Sequence, residues 1–487
     1  MKSNRSLRKG VTVFAIVVFL LGWVVVMPPA AAAHGGYLAH DPVTSTFTVS
    51  PTGSDDTANI QAAFDGCAAD GPGCTVQLTK GTFLVAQIVV HEFSGKFQGM
   101  GERWTTVEAL PDLPSPTVNP FWAAMPGPQN PWPDMFVFFN GSFAISGITF
   151  SDPYSLPGPI WEFPLLWTFN ALYSAILIVG GHADVAIDQV TVRGAAGDFF
   201  GSNMAEGVYY QGLLIKPGWT NPWGDLFPIS GSFRVTDSAF YTVDNAIAVS
   251  ALLGTHVTVL ENTFDTTEYG FVSFDAYDSV LEVIGNRATN VFGDAGVLAF
   301  NDYYIVGTLP TRLLVMDNEF WVTGGASGVW LWDFGTVKTL EAVIAHNEFH
   351  SDETGFGGVL SLSLTSIDVR ENEIRGAGAF GVDVVDGPGT VTQNEIRGMD
   401  VGVWIESATG VVVSRNEITD SASWGIAVTV GMSPWASWWG FTAGPTGTLI
   451  TKNEVQGSGL FDLFWDGSGT GNVWLKNEYK TSSPPNL

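Results

Sequence analysis

The chain has 487 residues, of which 46% are hydrophobic and 14% are charged, with 48 acidic against 20 basic side chains. The resulting net charge of −28 repels nucleic acid and anionic lipid, so neither is an expected partner. The same charge disfavours polyanionic glycans unless a cation bridges them.

Residues 1–33 have the pattern of an export signal. Basic residues in 1–9 precede an almost entirely apolar run at 11–27, and the alanines at 30–33 supply the small residues of a cleavage site. The alternative is an uncleaved N-terminal anchor, because the run is about as long as a short membrane span. Either interpretation predicts a secreted or cell-surface protein, with no other membrane contact.

Residues 34–107 are predicted to form an N-terminal cap and the first coils of a solenoid. Asp55 or Asp56 is the expected N-cap of a short helix. The spacing of Ile60, Ala63 and Phe64 makes this helix amphipathic.

Cys67 and Cys74 are the only cysteines of the chain. In an exported protein an even number of cysteines predicts a disulfide, here closing one short loop. The alternative, half of a metal site, lacks two further ligands nearby. No metal site is therefore predicted.

Residues 108–232 are predicted to hold early coils with long aromatic loops. Short segments alternate apolar and polar residues in the manner of strands, as in FAISGITF (143–150) and DVAIDQVTV (184–192). Between such segments lie Pro-rich and aromatic stretches that are too irregular for strands and too apolar for disordered linkers. We interpret them as loops folded back onto the solenoid, at residues 108–138, 152–172 and 203–229.

Residues 233–480 repeat one short phrase, in which an asparagine separates two alternating strands. Examples are LEVIGNRA (281–288), LLVMDNEF (313–320) and IDVRENEI (367–374). The asparagines recur every 22 to 37 residues, at Asn262, Asn286, Asn318, Asn347, Asn372, Asn394, Asn416, Asn453 and Asn477. Residues 481–487 form a tail.

Apolar residues stand three and five positions before each asparagine and two positions after it, which predicts two strands with one face inward. We expect each asparagine to adopt the left-handed conformation at a bend and to stack on the next, satisfying buried backbone groups. The glutamate that follows most of them should face solvent. Three short strands in a period of about 22–25 residues favour a parallel β-helix over a leucine-rich repeat or a propeller. The longer spacings then mark loops inserted at turns.

Several phrases in residues 53–107 indicate a family. They are Asp55-Asp56-Thr57, Ile60-Gln61, Gly81-Thr82-Phe83, and Gly99-Met100-Gly101 followed by Thr106-Val107. With the repeat, they resemble the pectate lyase-like (pectin lyase fold) superfamily. The resemblance implies an all-β fold, a single-stranded right-handed parallel β-helix with a short N-terminal capping helix and long aromatic loops. This superfamily contains lyases, hydrolases, esterases, epimerases and non-catalytic surface proteins, so the fold does not decide the activity.

Lyases of this superfamily use an arginine or lysine base beside acidic calcium ligands. Basic residues here are sparse and scattered, which disfavours a lyase. Polygalacturonase-like hydrolases carry "DD" and "GHG" phrases. Residues 242–249 resemble the first with Asn245 in place of an acid, and residues 268–271 stand where the second belongs but lack histidine. These departures argue against that specific activity. No cofactor is expected, although the resemblance leaves calcium open.

Counting from the asparagine position of each coil, which Ser238 occupies in the coil before Asn262, predicts one carboxylate pair. Asp244 lies six residues after Ser238, and Glu268 lies six after Asn262. Adjacent coils are about 4.8 Å apart at the backbone, close to the 5–5.5 Å between the two carboxyls of a retaining glycosidase. Further candidate catalytic residues on the same coils are Asp275 and Asp294, and with lower weight Asp302 and Asp333. The alternative is that these are ordinary acidic turn residues, because every pair on adjacent coils shares this spacing.

Tryptophan is abundant, with 18 residues, and many of them lie in loops. The predicted sugar-binding residues are Trp219, Trp223, Trp435, Trp438 and Trp439. The alternative is that these side chains pack the loops onto the flank of the solenoid, because each buries a large area.

Two functions therefore stay open. The first is an exported β-helix protein that binds or processes a carbohydrate polymer and that, if it is an enzyme, resembles a glycoside hydrolase more than a polysaccharide lyase. The second is a non-catalytic cell-surface or envelope protein for binding or adhesion. The expected partner is a polysaccharide or glycan. The oligomeric state is open, with a trimer as one option.

Overall fold

A computed structural model of the chain describes residues 37–110, 135–151, 174–194, 206–215, 225–301, 309–335, 337–485 and 487. The proposed export signal lies outside these residues, as do most of the predicted aromatic loops. Within them almost all regular structure is β-strand, and successive coils pair in parallel. Antiparallel pairs occur between the first two strands and in one hairpin.

The elements up to residue 277 include several long strands, each of which follows the chain around more than one side of a coil. They are β1 (Leu38–Asp41), β2 (Thr46–Val49), α1 (Thr57–Asp70), β3 (Cys74–Leu78), β4 (Gly81–Val85), β5 (Ile88–Gln98), β6 (Thr105–Ala109), β7 (Phe136–Ser151), β8 (Ser174–Arg193), β9 (Glu206–Ile215), β10 (Asp225–Phe227), β11 (Ile229–Thr236), β12 (Ala239–Leu260) and β13 (Thr263–Tyr277).

The later elements are shorter and recur regularly. They are β14 (Val280–Ile284), β15 (Arg287–Val291), β16 (Ala295–Asn301), β17 (Thr311–Met316), β18 (Glu319–Val322), β19 (Ser327–Asp333), β20 (Leu340–Ala345), β21 (Glu348–Ser351), β22 (Gly357–Leu362), β23 (Ser366–Arg370), β24 (Glu373–Gly376), β25 (Phe380–Val385), β26 (Gly389–Thr392), β27 (Glu395–Arg397), β28 (Val401–Glu406), β29 (Val412–Ser414), β30 (Glu417–Thr419), β31 (Trp424–Thr429), α2 (Pro434–Trp438), β32 (Leu449–Thr451), β33 (Glu454–Gln456), β34 (Phe461–Trp465), β35 (Val473–Leu475) and β36 (Ser482–Ser483).

Each regular coil contributes one strand to each of three parallel sheets. Sheet I contains β14, β17, β20, β23, β26, β29, β32 and β35; sheet II contains β15, β18, β21, β24, β27, β30 and β33; sheet III contains β16, β19, β22, β25, β28, β31 and β34. The long strands β12 and β13 each continue through more than one sheet. Their residues 243–250 and 267–274 belong to sheet III. The predicted parallel β-helix with three strands per coil is therefore confirmed.

The core runs between the three sheets and is built from the inward residue of each alternation. In sheet II, for example, Ile374, Ile396 and Ile418 stack in register and are fully buried. At the N-terminal end, helix α1 is present where it was predicted and buries Phe64 against the rings of Phe93 and Phe97 at 5.1 and 5.2 Å. Stacked apolar columns of this kind remove their side chains from water along the whole coil stack.

The start of α1 differs from the expected cap. Asp56 occupies the N-cap position, but its buried carboxylate accepts hydrogen bonds from the backbone N–H groups of Thr52 and Leu84 at 2.8 and 3.2 Å. Asp55 accepts from the N–H of Thr57 at 2.9 Å. The Asp pair therefore ties the helix start to the first strands.

The predicted disulfide joins Cys67 in α1 to Cys74 in β3, with the two Cα atoms 5.4 Å apart. Both residues are buried. The bond therefore links the last turn of the helix to the strand that follows it.

The asparagine ladder forms at the bend between sheets I and II. The Oδ1 atom of Asn318 accepts from the backbone N–H and the Nδ2 of Asn286, and the Nδ2 of Asn286 also donates to the carbonyl of Val259. The same pattern continues to Asn477. Ser238 begins the series by donating its backbone N–H to Asn262 at 3.0 Å. Each coil thus satisfies buried polar groups of its neighbours, as predicted.

The expected left-handed conformation of the asparagines is wrong. The residue with positive φ is the one before each asparagine, for example Asp317 at 56° and Lys452 at 59°. The asparagine itself points inward to make its hydrogen bonds, so the residue before it carries the turn. The glutamates that follow are half-buried or exposed, such as Glu417 and Glu454, which confirms their outward orientation.

The longer coils carry their extra residues between sheets III and I, as expected for loops inserted at turns. The largest such insertion among the described residues, 430–448, contains the short helix α2. The stretch 203–229, however, was wrongly predicted to be only a loop. It contains β9 and β10. β9 belongs to sheet III because it pairs in parallel with β8 and β12, and it points Val208 and Tyr210 inward and Tyr209 outward.

The ladder predicts a large difference between neighbouring substitutions. Asn416→Ala removes the acceptor of the Asn394 N–H and the donor to the Val391 carbonyl, both buried. We expect a loss of roughly 2–5 kcal/mol in the free energy of unfolding, because each buried unsatisfied group costs about 1–3 kcal/mol. Urea denaturation measures this loss. The control Glu417→Gln, an exposed neighbour, should change stability by less than about 0.5 kcal/mol; an equal effect of both variants would contradict the role of the ladder.

Candidate functional site

Three acidic residues occupy the same position in three consecutive coils. Residues flanking Asp244 pair with residues flanking Glu268, since Val243 lies beside Thr267 and Asn245 beside Tyr269. Tyr269 in turn lies beside Ala295, which brings Asp294 to the level of Glu268. All three acids stand at the bend that leads into sheet III. Asp244, Glu268 and Asp294 therefore form one column, which we call the acid column.

The acid column is held by direct contacts. The carboxyl groups of Glu268 and Asp244 share a hydrogen bond. The hydroxyl of Tyr269 donates to Asp294 Oδ2 at 2.7 Å. The backbone at Gly293 packs so closely over Glu268 that a Cβ there would lie 2.0 Å from its Cγ. The three residues are each half-buried, although Oδ1 of Asp244 is itself fully buried, so the column is held in place and is only partly open to solvent.

The contact between Asp244 and Glu268 is closer than the predicted spacing of a retaining glycosidase. Hydrogen-bonded oxygens lie about 2.5–3 Å apart, whereas carboxyls that flank a sugar in such enzymes are about 5–5.5 Å apart. As it stands, this pair therefore shares a proton, as neighbouring carboxyls do when both cannot ionise. Asp294, which was predicted separately, lies beside Glu268 on the next coil.

The surroundings favour a neutral Glu268. Burial raises the pKa of Glu268 from its ordinary 4.5 to about 10, helped by the charge and hydrogen bond of Asp244 and the charge of Asp294. Burial also raises the pKa of Asp294, against the opposing effect of the hydrogen bond from Tyr269. Burial and the nearby acids hold the pKa of Tyr269 well above its ordinary value. At neutral pH the site thus holds a protonated glutamic acid and a phenol that donates a hydrogen bond.

The remaining predicted acids are not part of the acid column. Asp275 lies seven residues beyond Glu268, at the other end of the same sheet III strand, about 23 Å away along an extended chain. It is only 1% exposed and near the hydroxyl of Tyr277. Asp333 is buried and accepts the backbone N–H groups of Thr339 and Leu340, which is a structural role. Asp302 lies outside the described residues.

The predicted tryptophans fall into three groups. Trp435 is only 5% exposed and contacts the ring of Phe356 at 4.4 Å, so in its case the packing alternative holds. Trp438 and Trp439 are 78% and 54% exposed. Trp219 and Trp223 lie outside the described residues. The exposed pair alone keeps the property that a sugar-stacking residue needs.

The sequence did not predict a second pair of carboxyls, Asp383 and Glu406, which are fully buried on the outer side of sheet III. Glu406 accepts from the backbone N–H of Ser433 at 2.9 Å and from its hydroxyl at 2.9 Å. Both carboxyl oxygens of Asp383 are buried without a hydrogen-bond partner among the described residues, and the nearby indole of Trp435 partly opposes the rise in the pKa of Asp383. Burial raises the pKa of Glu406 to about 7, and burial together with the charge of Glu406 raises that of Asp383.

This second pair anchors the 430–448 loop to the coils beneath it. Its signal was available in the sequence, because both acids stand at outward positions where neighbouring coils carry apolar residues such as Leu360 and Val385. The loop covers both carboxyls, so the pair is a structural anchor and not an open site.

Two negative findings apply to the described part of the chain. No group of three or more histidine, cysteine or carboxylate side chains there is placed to hold a metal ion. Neither α1 nor α2 has the length and the hydrophobicity of a membrane-spanning helix.

Comparison with known proteins concerns the fold. Residues 311–436 match a family model described as a right-handed beta helix region. This match and the parallel coils confirm the predicted fold class, a right-handed parallel β-helix. By sequence, no match was found among curated proteins.

Several solved structures are similar at low identity. A periplasmic alginate epimerase is 12% identical with a TM-score of 0.47, over 71% of this chain and 76% of that chain. A mannuronan C-5 epimerase A-module from Azotobacter vinelandii is 15% identical with a TM-score of 0.44, over 86% and 95%. The catalytic unit of a thermostable α-1,3-glucanase from Streptomyces thermodiastaticus is 13% identical with a TM-score of 0.46, over 92% and 71%.

The raised pKa of Glu268 predicts a pH-dependent gain in stability for Glu268→Gln. Folding takes up a proton at this residue between its ordinary pKa of 4.5 and its folded pKa of about 10, so the free energy of unfolding falls as pH rises through that range. The glutamine stays neutral at every pH. We expect the variant to be as stable as the parent near pH 4 and more stable by roughly 1 kcal/mol or more near pH 8, since one pKa unit corresponds to about 1.4 kcal/mol.

Chemical denaturation at both pH values measures this gain. Glu341→Gln, a half-buried acid on sheet I, is the matched control and should show no such trend. A stability difference for Glu268→Gln that does not grow with pH would show that Glu268 is ionised in the folded protein.

Proposed function

We propose that this protein is an exported glycoside hydrolase that cleaves a carbohydrate polymer at the acid column. The observation that carries the proposal is the column itself, in which Glu268 is held protonated at neutral pH between two other carboxyl groups. Glycoside hydrolysis needs one carboxylic acid that gives a proton and one carboxylate that receives one.

Glu268 is the proposed general acid. A glutamic acid with a raised pKa keeps its proton at neutral pH and can transfer it to the oxygen of the bond that breaks. Asp244 is a positioning residue in this scheme, because its hydrogen bond fixes the Glu268 carboxyl and its charge helps to retain the proton. No lysine or arginine is among the groups that raise or lower the pKa of Glu268, Tyr269 or Asp294. This favours a hydrolase over a lyase with a basic side chain as its base.

Asp294 is the proposed base. The hydroxyl of Tyr269 orients its carboxylate and opposes the effect of burial on its pKa. Asp294 would take a proton from water as that water attacks the anomeric carbon. The glycosidic C–O bond breaks, and its oxygen receives the proton of Glu268. The two carboxyls then exchange the proton back through solvent, so the cycle closes without a cofactor.

Export is part of the same proposal. The signal-like residues 1–33 and the disulfide between Cys67 and Cys74 both suit an oxidising compartment outside the cytosol. A polymeric glycan, too large to enter a cell, is the matching class of substrate.

The test is a reducing-sugar assay on a panel of neutral and acidic polysaccharides. We expect Glu268→Gln and Asp294→Asn each to lower kcat by about 100-fold or more, in the upper part of the range for general acid–base groups. Asp244→Asn should lower kcat less and move the alkaline limb of the pH profile to lower pH, because it removes a charge that retains the Glu268 proton.

Glu341→Gln, outside the column, should leave activity unchanged. If Glu268→Gln and Asp294→Asn both release reducing ends at the rate of the parent protein, the acid column is not the active site. Binding of a glycan without release of reducing ends by the parent would favour the alternative, a non-catalytic surface protein.

A further inference from the structure

We infer that the substrate is a neutral polysaccharide and that it binds along a row of aromatic rings on the outer face of sheet III. The aromatic row is defined by Phe274, Phe300, Trp332, Phe334 and Trp439. The inference rests on the proposed function, because it names the class of substrate for the same site.

The aromatic row follows the coil stack, one ring after another. Phe274 and Phe300 lie on adjacent coils with ring centres 4.3 Å apart, and Phe300 stacks on Trp332 at 4.5 Å. Trp332 stacks on Phe334 at 6.2 Å, and Phe334 meets Trp439 of the 430–448 loop at 4.3 Å. Strand register therefore generates a continuous aromatic surface that ends on an exposed tryptophan.

These rings lie outside the core between the three sheets, and three of them pack against a second buried apolar cluster on the outer face of sheet III. Phe274, Phe300 and Trp332 occupy outward positions of the alternation, opposite the buried residues of the same strands, and they are only half-buried. Trp439 is 54% exposed. Aromatic faces and edges that stay partly open offer apolar contact to the C–H faces of sugar rings while the sugar hydroxyls remain in water.

The lack of basic side chains on these strands of sheet III favours a neutral polysaccharide over an anionic one. The strands of this sheet from β16 to β34, and the preceding segments 243–250 and 267–274, contain no lysine, arginine or histidine. The arginines within regular strands lie in sheets I and II, at Arg287, Arg312, Arg370, Arg375 and Arg397. Among the described residues no lysine or arginine affects the pKa of Glu268 or Asp294, and Lys338 beside the row donates a hydrogen bond to the carbonyl of Asp333. A uronate chain would therefore bring carboxylates to the acid column, where like charges at short range repel.

The placement of the two features also sets a minimum length for the substrate. The acid column lies at the start of the sheet III strands, and the aromatic row lies six residues further on, about 20 Å away at 3.3 Å per residue. Because both features run along the coil stack, a glycan that contacts both must also cross the sheet III strands between them and span several sugar rings. Long chains should therefore bind better than disaccharides of the same linkage.

The test measures binding by affinity electrophoresis and calorimetry in the Glu268→Gln background, which keeps the probe intact. The neutral probes are laminarin, dextran and soluble starch, and the anionic probes are alginate and polygalacturonate. We expect at least one neutral polymer to bind more tightly than both anionic ones. Trp439→Ala and Trp332→Ala should each weaken that binding about 3- to 10-fold, as expected for the loss of one aromatic contact.

Trp321→Ala is the matched control, because Trp321 is 43% exposed but belongs to sheet II, where it stacks on His350 at 4.0 Å. It should leave binding unchanged. Tighter binding of alginate or polygalacturonate, or no binding of any neutral probe, overturns the substrate class. Equal effects of Trp439→Ala, Trp332→Ala and Trp321→Ala overturn the row as the site.

These results are separable from the proposed hydrolysis. Neutral binding that depends on Trp439 and Trp332, in a parent protein that releases no reducing ends, would support the aromatic row and reject the hydrolase. Hydrolysis that depends on Glu268 and is unaffected by either tryptophan would support the hydrolase and reject the row.

Discussion

The register of the coils is the constraint on which the rest of the structure depends. Backbone pairing sets the distance between coils, and the asparagine ladder fixes where each coil turns from sheet I into sheet II. Because every asparagine satisfies buried groups of two neighbouring coils, a slip of one residue would leave several of them unpaired. Side chains at the same distance from the ladder are therefore brought into one column. The acid column and the aromatic row both follow from this rule.

The carboxyls of Asp383 and Glu406 and those of the acid column differ in how far solvent reaches them. At Asp383 and Glu406 the 430–448 loop covers the acids and gives Glu406 the backbone N–H and hydroxyl of Ser433 as partners. At the acid column Asp244 and Glu268 partner each other, Tyr269 donates to Asp294, and the three acidic residues stay half-buried. Burial raises pKa values at both sites, so a raised pKa alone does not identify function. Access from solvent separates the anchor from the candidate active site.

Part of this arrangement could be predicted from the sequence. Counting from the ladder placed Asp244 beside Glu268, because both coils have six residues between the ladder position and the acid. The same counting does not place Asp294, which lies eight residues after Asn286, since two extra residues stand between Thr289, the partner of Asp265, and Ala295, the partner of Tyr269. Irregular bends of this kind depend on local packing and leave no periodic signal. The same limit explains why β9 was taken for a loop.

The solvent exposure of individual tryptophan side chains could not be predicted from the sequence either. Trp435, Trp438 and Trp439 are close neighbours in sequence, but α2 turns the first toward Phe356 and the others toward solvent. The left-handed residue was likewise misplaced by one position, because the inward hydrogen bonds of the asparagine decide which residue turns. The repeat alone was enough to predict the fold class. Predicting the site would have required the packing of individual side chains, which the repeat does not specify.

The central claim is that Glu268 is protonated at neutral pH within the acid column. Infrared difference spectra between the parent protein and Glu268→Gln at pH 7 test it directly, through the C=O stretch of a protonated carboxyl group. The account predicts a protonated-carboxyl band in the parent that the variant lacks and that fades only at alkaline pH. A carboxylate band from Glu268 at pH 7, already fully formed near pH 5, would contradict it.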